Sequence, residues 1–247
     1  MHSVKNLSAA KIKEITKLHQ KKYRDELKLF IAEGNKAFEE ILNADIEIIS
    51  VYALETFKPK HHYENIKIIS QSEMKKISTT ASVCEVLVIG RQKIYQQNEL
   101  KGRKLILLDK ISDPGNLGTI IRSAAAFNID GIILFGNTIE LYSPKVIRSC
   151  AGNFFKTPVI SIKTIPELQR LFPDYTFIST ALKKDNNITF KEAKQISKSI
   201  IMFGSEAQGL NEKLIDLAEK NIVLNMNKDV ESLNLSVSAA IVMYELF

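Results

Sequence analysis

Lys104-Leu105-Ile106-Leu107-Leu108-Asp109-Lys110-Ile111-Ser112-Asp113-Pro114-Gly115-Asn116-Leu117-Gly118-Thr119-Ile120-Ile121-Arg122 reads as an apolar strand, a turn and the opening of a helix. Lys104 to Asp109 is a short aliphatic run, the pattern of a buried strand. Asp113-Pro114-Gly115-Asn116 is a turn by composition, and Asn116 is placed to cap the helix that follows. The same alternation continues downstream. Apolar runs recur at 131–135, 158–162, 175–180, 199–204 and 221–224. Helix-like segments lie around 116–127, 144–150, 164–171, 189–195 and 211–219, and 233–246 is a final apolar helix. Strands alternating with helices predict a parallel sheet covered on both faces. Such sheets bind ligands beyond the carboxyl ends of their strands, so the loops there are where chemistry is expected.

Upstream, Ser8 can cap a helix carrying Ile12, Ile15 and Leu18. Leu27 to Ile31 reads as a strand and 35–42 as a helix. Ile46 to Tyr52, Ile66 to Ile69 and Val86 to Ile89 are short β-branched runs, with a short helix at 71–77. These make a small α/β unit ending near Gly90. The polar segment 91–103 lacks a clear period and is the candidate linker. The expected division is 1–95, a linker at 96–103, and 104–247.

Composition excludes several classes. The 247 residues are 45% hydrophobic and 25% charged, which rules out a wholly disordered chain. No uncharged apolar run is long enough to span a bilayer, and the N-terminus has no apolar h-region, so a cytoplasmic protein is expected. Cys84 and Cys150 are too few for a disulfide framework or a Cys-rich zinc site. All four histidines (His2, His19, His61, His62) lie in the first unit, so a Ser-His-Asp site or a His-based metal site would need residues from there. Neither GxGxxG after a strand nor GxxxxGK[ST] occurs. Net charge is +6, and residues 1–36 hold nine basic residues against four acidic ones. That excess is either an electrostatic footprint for an anionic partner or a solvated helix face.

Three segments carry candidate chemistry. Arg122 is one of six arginines and sits on an otherwise apolar helix. It either serves a site or forms a buried structural ion pair. Phe203-Gly204-Ser205-Glu206-Ala207-Gln208-Gly209-Leu210 closes a strand, and its glycines permit close backbone approach. Ser232, Asn234 and Ser236 fall at the start of the last helix, where an N-cap with surplus polar residues would look the same.

Together, Asp113 to Gly118 with Arg122, Gly204 to Leu210, and Ser232-Leu233-Asn234-Leu235-Ser236 resemble the three signature motifs of the SpoU/TrmH family of SPOUT RNA ribose methyltransferases. Ser143 to Arg148 resembles another family segment. Lys21-Lys22-Tyr23-Arg24 with Phe30 to Gly34 is similar to the substrate-binding domain of rRNA-modifying members. The resemblance implies an α/β fold: a SPOUT-type parallel sheet with a C-terminal trefoil knot, preceded by a small α/β substrate-binding domain. It implies a homodimer with the active site near the dimer interface, without metal or membrane. The implied methyl donor is S-adenosylmethionine, held by Thr180, Ala181, Gly204, Gly209, Leu224, Met226 and Leu233. The implied catalytic set is Arg122 with Asn116, Glu206, Ser232 and Asn234 orienting it and the substrate. Lys21, Lys22 and Arg24 would bind RNA, with 23S rRNA favoured as substrate. Two other readings stay open: a tRNA ribose 2′-O-methyltransferase, and a catalytically silent RNA-binding assembly factor. Ser205, Ala207 and Asn225 depart from the family pattern.

Overall fold

The structure is a computed structural model and describes residues 6–100, 102–181, 186–206, 208–227, 229 and 232–246. Two of the residues named above, His2 and Ala207, lie outside them. The chain forms two compact units. One comprises residues up to Lys93 together with Glu140–Phe155, and the other comprises Ile94–Ile139 and Lys156 onward.

The first unit has a four-stranded sheet of β1 (Leu29–Glu33), β4 (Val86–Arg91), β2 (Ile48–Ala53) and β3 (Ile66–Ile68), in that order. β4 is antiparallel to both β1 and β2, and β3 is parallel to β2. Its helices are α1 (Ala9–Lys17), α2 (Lys21–Leu27), α3 (Asn35–Asn43), α4 (Gln71–Ile77) and α6 (Pro144–Ser149). Ser8 caps α1 by accepting from the Lys11 amide. Ile15, Leu18, Ile31, Tyr52, Met74, Ile77 and Leu87 share one core. Leu27 ends a helix rather than opening a strand. Lys28, in the left-handed conformation at φ 54°, turns the chain between α2 and β1.

The second unit has a six-stranded parallel sheet, β10-β8-β9-β5-β6-β7. The strands are β5 (Lys104–Asp109), β6 (Gly131–Phe135), β7 (Val159–Ile162), β8 (Thr176–Ser179), β9 (Ser199–Phe203) and β10 (Lys220–Asn221). The connecting helices are α5 (Pro114–Ala126), α7 (Ile165–Leu171), α8 (Phe190–Gln195) and α9 (Glu212–Leu217), and α10 (Leu235–Leu246) ends the chain. Every residue of β5, β6 and β9 is buried. Strands covered on both faces need near-continuous apolar sequence, and that is what made them visible. β10 is only two residues long, because the chain leaves the sheet after Asn221 to build a loop.

The units part from the expected division at two places. The expected linker 96–103 is built into the second unit: Leu100 is 1% exposed in that core, and the Gln97 carboxamide donates to the Leu171 carbonyl. Residues 140–155, expected in the second unit, complete the first. Arg24 grips Glu140 through both carboxylate oxygens at 2.6 Å each, and Phe30 packs on Tyr142 and Phe155 with ring centroids 5.4 and 5.7 Å away. These partners lie more than 110 residues apart, beyond the reach of any local pattern.

Candidate active site

From β5 the chain runs outward to β6 and β7, then returns to the other side of β5 to lay down β8, β9 and β10. The switch point therefore lies between β5 and β9, where an open parallel sheet leaves a crevice at its carboxyl edge. The two segments that follow these strands are the Asp113–Asn116 turn and the 204–210 loop.

At the first, Asp113 rather than Asn116 caps α5. Its carboxylate accepts from the Asn116 amide at 2.8 Å, with Pro114 at the first helical position. Pro at that position has no amide to leave unpaired. The Asn116 side chain is thereby released for other work. Its Nδ2 donates to Glu206 Oε1 at 2.9 Å, and its Oδ1 accepts from Asn234 Nδ2 at 3.0 Å. Asn234 Nδ2 also donates to Glu206 Oε1 at 2.7 Å. Asn234 Oδ1 caps α10, accepting from the Ser236 amide at 2.9 Å and the Ser236 hydroxyl at 2.6 Å. The Leu235 amide reaches Glu206 Oε1 at 3.3 Å, so a carboxylate sits at the amino end of α10, where the helix dipole favours it. One residue from each of the three segments thus meets the other two.

The 204–210 loop folds back on itself. Ser205 and Gly209 exchange both backbone hydrogen bonds, at 3.1 and 2.9 Å. A Cβ on Gly204 would stand 2.0 Å from the Gly209 carbonyl carbon, and Gly209 itself holds φ +67°. The loop's far end is tied to the sheet where the Asn211 amide donates to Asp109 Oδ2 at 2.9 Å. Asp109 is 2% exposed and its Oδ1 has no partner; burial pushes its carboxyl above the ordinary range.

Beneath the loop is a cavity of about 550 Å³. Thr180, Ala181, Gly204, Gly209, Leu224, Met226 and Leu233 all line it, with Glu206 and Ser232 at its wall. Glu206 is the one charged side chain among the described lining residues. The volume lies within the roughly 300–1,000 Å³ usual for small-molecule sites. Apolar side chains beside exposed loop backbone suit a nucleoside, and the Glu206 carboxylate suits a nearby positive charge.

Arg122 stands apart. It is exposed and makes no hydrogen bond or ion pair among the described residues, so it is not the buried structural pair that its apolar helix left open. Asn116, Glu206 and Asn234 hydrogen-bond to one another instead. Ser232 lines the cavity without joining the polar cluster. In the first unit, Lys21 and Lys22 are exposed, and Lys22 lies with Lys17 over the Tyr23 ring. Arg24 corrects an expectation. It is 3% exposed, and its guanidinium is spent on Glu140 and the Leu18 carbonyl, so it offers nothing to a phosphate. Sequence reasoning missed Asp109 and Asn221. The only signal for either was a polar residue at the edge of an apolar run, Asp109 closing one and Asn221 opening another. Burial pushes the Cys84 thiol up to about 11 and Cys150 further, so both stay protonated. No metal-binding cluster occurs among the described residues.

A family model described as the SpoU rRNA Methylase family matches residues 103–244. The chain belongs to that family. This SpoU methylase also matches an MRM3-like substrate binding domain over residues 9–87. It is 27% identical, over all of its length and 99% of the relative's, to the 23S rRNA (guanosine(2553)-2′-O)-methyltransferase RlmP of Bacillus subtilis. An AdoMet-bound rRNA methyltransferase from Sinorhizobium meliloti superposes with a TM-score of 0.83 at 25% identity, covering 98% of this chain and 96% of that one. The SpoU methyltransferase AviRb of Streptomyces viridochromogenes, solved with AdoMet, superposes at 0.84 over 97% of each chain, and at 18% identity shows the shared fold alone.

Proposed function

We propose that this SpoU-family enzyme methylates a ribose 2′-oxygen in RNA, with 23S rRNA as substrate and S-adenosylmethionine as donor. One observation carries the reading: the donor-binding residues implied by the family motifs line a single cavity, and the motif cluster of Asn116, Glu206 and Asn234 closes on its Glu206 wall. The RlmP relative, matched end to end, supports rRNA over tRNA.

When bound, the donor supplies a methyl group on a sulfonium, already a good leaving group. The chain's own residues position and activate the acceptor. Glu206 locks the 204–210 loop against the first turn of α5 and the start of α10, fixing the wall on which the reacting atoms meet. Asn116 and Asn234 hold that carboxylate. A guanidinium serves poorly as a base, so Arg122 is assigned to phosphate binding. Its exposed guanidinium would grip the phosphate beside the target ribose and stabilise the 2′-oxygen as its proton passes to solvent water. Lys21 and Lys22 add sequence-independent phosphate contacts.

The enzyme works as a homodimer. α10 is apolar nearly all round, and Val237, Ile241 and Tyr244, spaced along one face, are 46%, 38% and 65% exposed. An unpaired apolar stripe on a terminal helix is what a second copy would cover. α5 lies against α10, with the Phe127 and Tyr244 rings 5.8 Å apart, which would put Arg122 near that interface. The trefoil knot implied by the family motifs belongs to the same reading, as does a cytoplasmic location.

The test is to incubate the protein and S-adenosylmethionine with unmodified 23S rRNA and tRNA, then map ribose methylation in both. Methylation confined to rRNA is expected. Donor binding with no methylation of either RNA would favour a silent RNA-binding module. Arg122→Ala should lower turnover by about 100-fold or more while donor affinity stays within about threefold. Retained turnover would remove Arg122 from the mechanism.

A further inference from the structure

We propose that Asn221, 0% exposed at the end of β10, is a positioning residue for the donor site, acting through the backbone of Ala181; this rests on the donor reading of the cavity. β8 ends at Ser179, and Thr180-Ala181 turns away to form a cavity wall. Leaving a ladder inside a protein strands backbone groups that must find partners. Ala181 finds both in one side chain. Its amide donates to Asn221 Oδ1 at 3.0 Å, and its carbonyl accepts from Asn221 Nδ2 at 2.9 Å. The carboxamide thereby stands in for the strand residue that β10 no longer supplies, extending the ladder of β8 by one step.

The remaining capacity of the amide fixes its orientation. Oδ1 also accepts from the Ser179 hydroxyl at 2.7 Å, and Nδ2 also donates to Asn187 Oδ1 at 2.7 Å. An Asn amide has two donor hydrogens and two acceptor sites, and all four are used here. Rotating it by half a turn would set its NH₂ against the Ala181 amide and its oxygen against the Ala181 carbonyl. The arrangement therefore has one state. Thr180 adds a second tie, its hydroxyl donating to the Met202 carbonyl at 2.9 Å. Asn221 does not line the cavity; it decides where the Ala181 backbone stands when a donor arrives.

Four proteins separate positioning from general stability: wild type, Asn221→Ala, Asn221→Asp and Ser179→Ala. Asn221→Asp keeps shape and both acceptor sites but turns a carboxylate on the Ala181 carbonyl. Ser179→Ala removes one bond of the network and leaves the Ala181 pair intact. The readouts are S-adenosylmethionine affinity by calorimetry, KM for donor against kcat, and Tm. Asn221→Ala and Asn221→Asp should each weaken donor binding and raise its KM by about tenfold or more, with kcat at saturating donor within about threefold. Ser179→Ala should lower Tm with donor affinity within about twofold. Donor affinity that falls equally in Ser179→Ala, or not at all in folded Asn221→Asp, would overturn the proposal. Wild type that binds no donor would overturn the donor reading itself, and this inference with it.

Discussion

Gly204 has no side chain because its own loop occupies the space where one would go. A methyl there would meet the backbone of Gly209 and Leu210 at 2.0 Å, so the requirement is for loop closure, with the ligand's approach a consequence. Gly204→Ala should therefore abolish donor binding by opening the loop, and calorimetry checks it. Donor affinity within threefold of wild type would mean the loop can shift without loss. Asp109 makes a different demand. Burial raises its folded pKa above the ordinary carboxylate value, so the native chain holds that proton more tightly than the unfolded chain. Its contribution to stability is then greatest below about pH 4 and is lost as pH rises through the raised value. Asp109→Asn should gain on wild type as pH climbs from 4 to 7, measured by urea unfolding. A difference independent of pH would remove burial of the charge as its cause.

At the scale of elements, α10 is the informative helix. Leu235, Ala239, Val242, Met243 and Leu246 are buried within the unit, while Val237, Ile241 and Tyr244 are not. Tyr244→Glu should shift the sedimentation coefficient from dimer to monomer without lowering Tm by more than a few degrees. A monomeric wild type would contradict the dimer. The order of strands and helices was legible in the sequence because fully buried strands such as β5, β6 and β9 need unbroken aliphatic runs. Helix caps were half legible. Asp113 and Asn116 both suit a helix start by composition, and only the geometry says that Asp113 takes the role and frees Asn116. The motif residues were legible as types in order. Their hydrogen bonds were not, since those depend on which loops the sheet topology brings together.

For the whole molecule, chain order and folding units diverge. Arg24 looked like a phosphate ligand because basic residues surround it in sequence, yet a carboxylate from position 140 consumes it. No pairing at that separation can be read from local pattern. A fragment ending at residue 93 should consequently leave Arg24 buried without its partner and Phe30 without Tyr142 and Phe155. Breaking a buried ion pair by removing one member costs about 3–5 kcal/mol. Such a fragment should show collapsed amide dispersion by NMR, and a well-dispersed spectrum would show that the strip 140–155 is dispensable. The strip also sets a timetable. On the ribosome, Phe30 and Arg24 stay without their partners when the first unit's own sheet has emerged; those partners come about 60 residues later. At roughly 5–20 residues per second that is on the order of 3–12 s with Phe30 and Arg24 uncovered. The nascent chain therefore passes through a window in which an aromatic ring and a lone guanidinium lack their cover, and the window closes only after β5 and β6 of the second unit have already been synthesised.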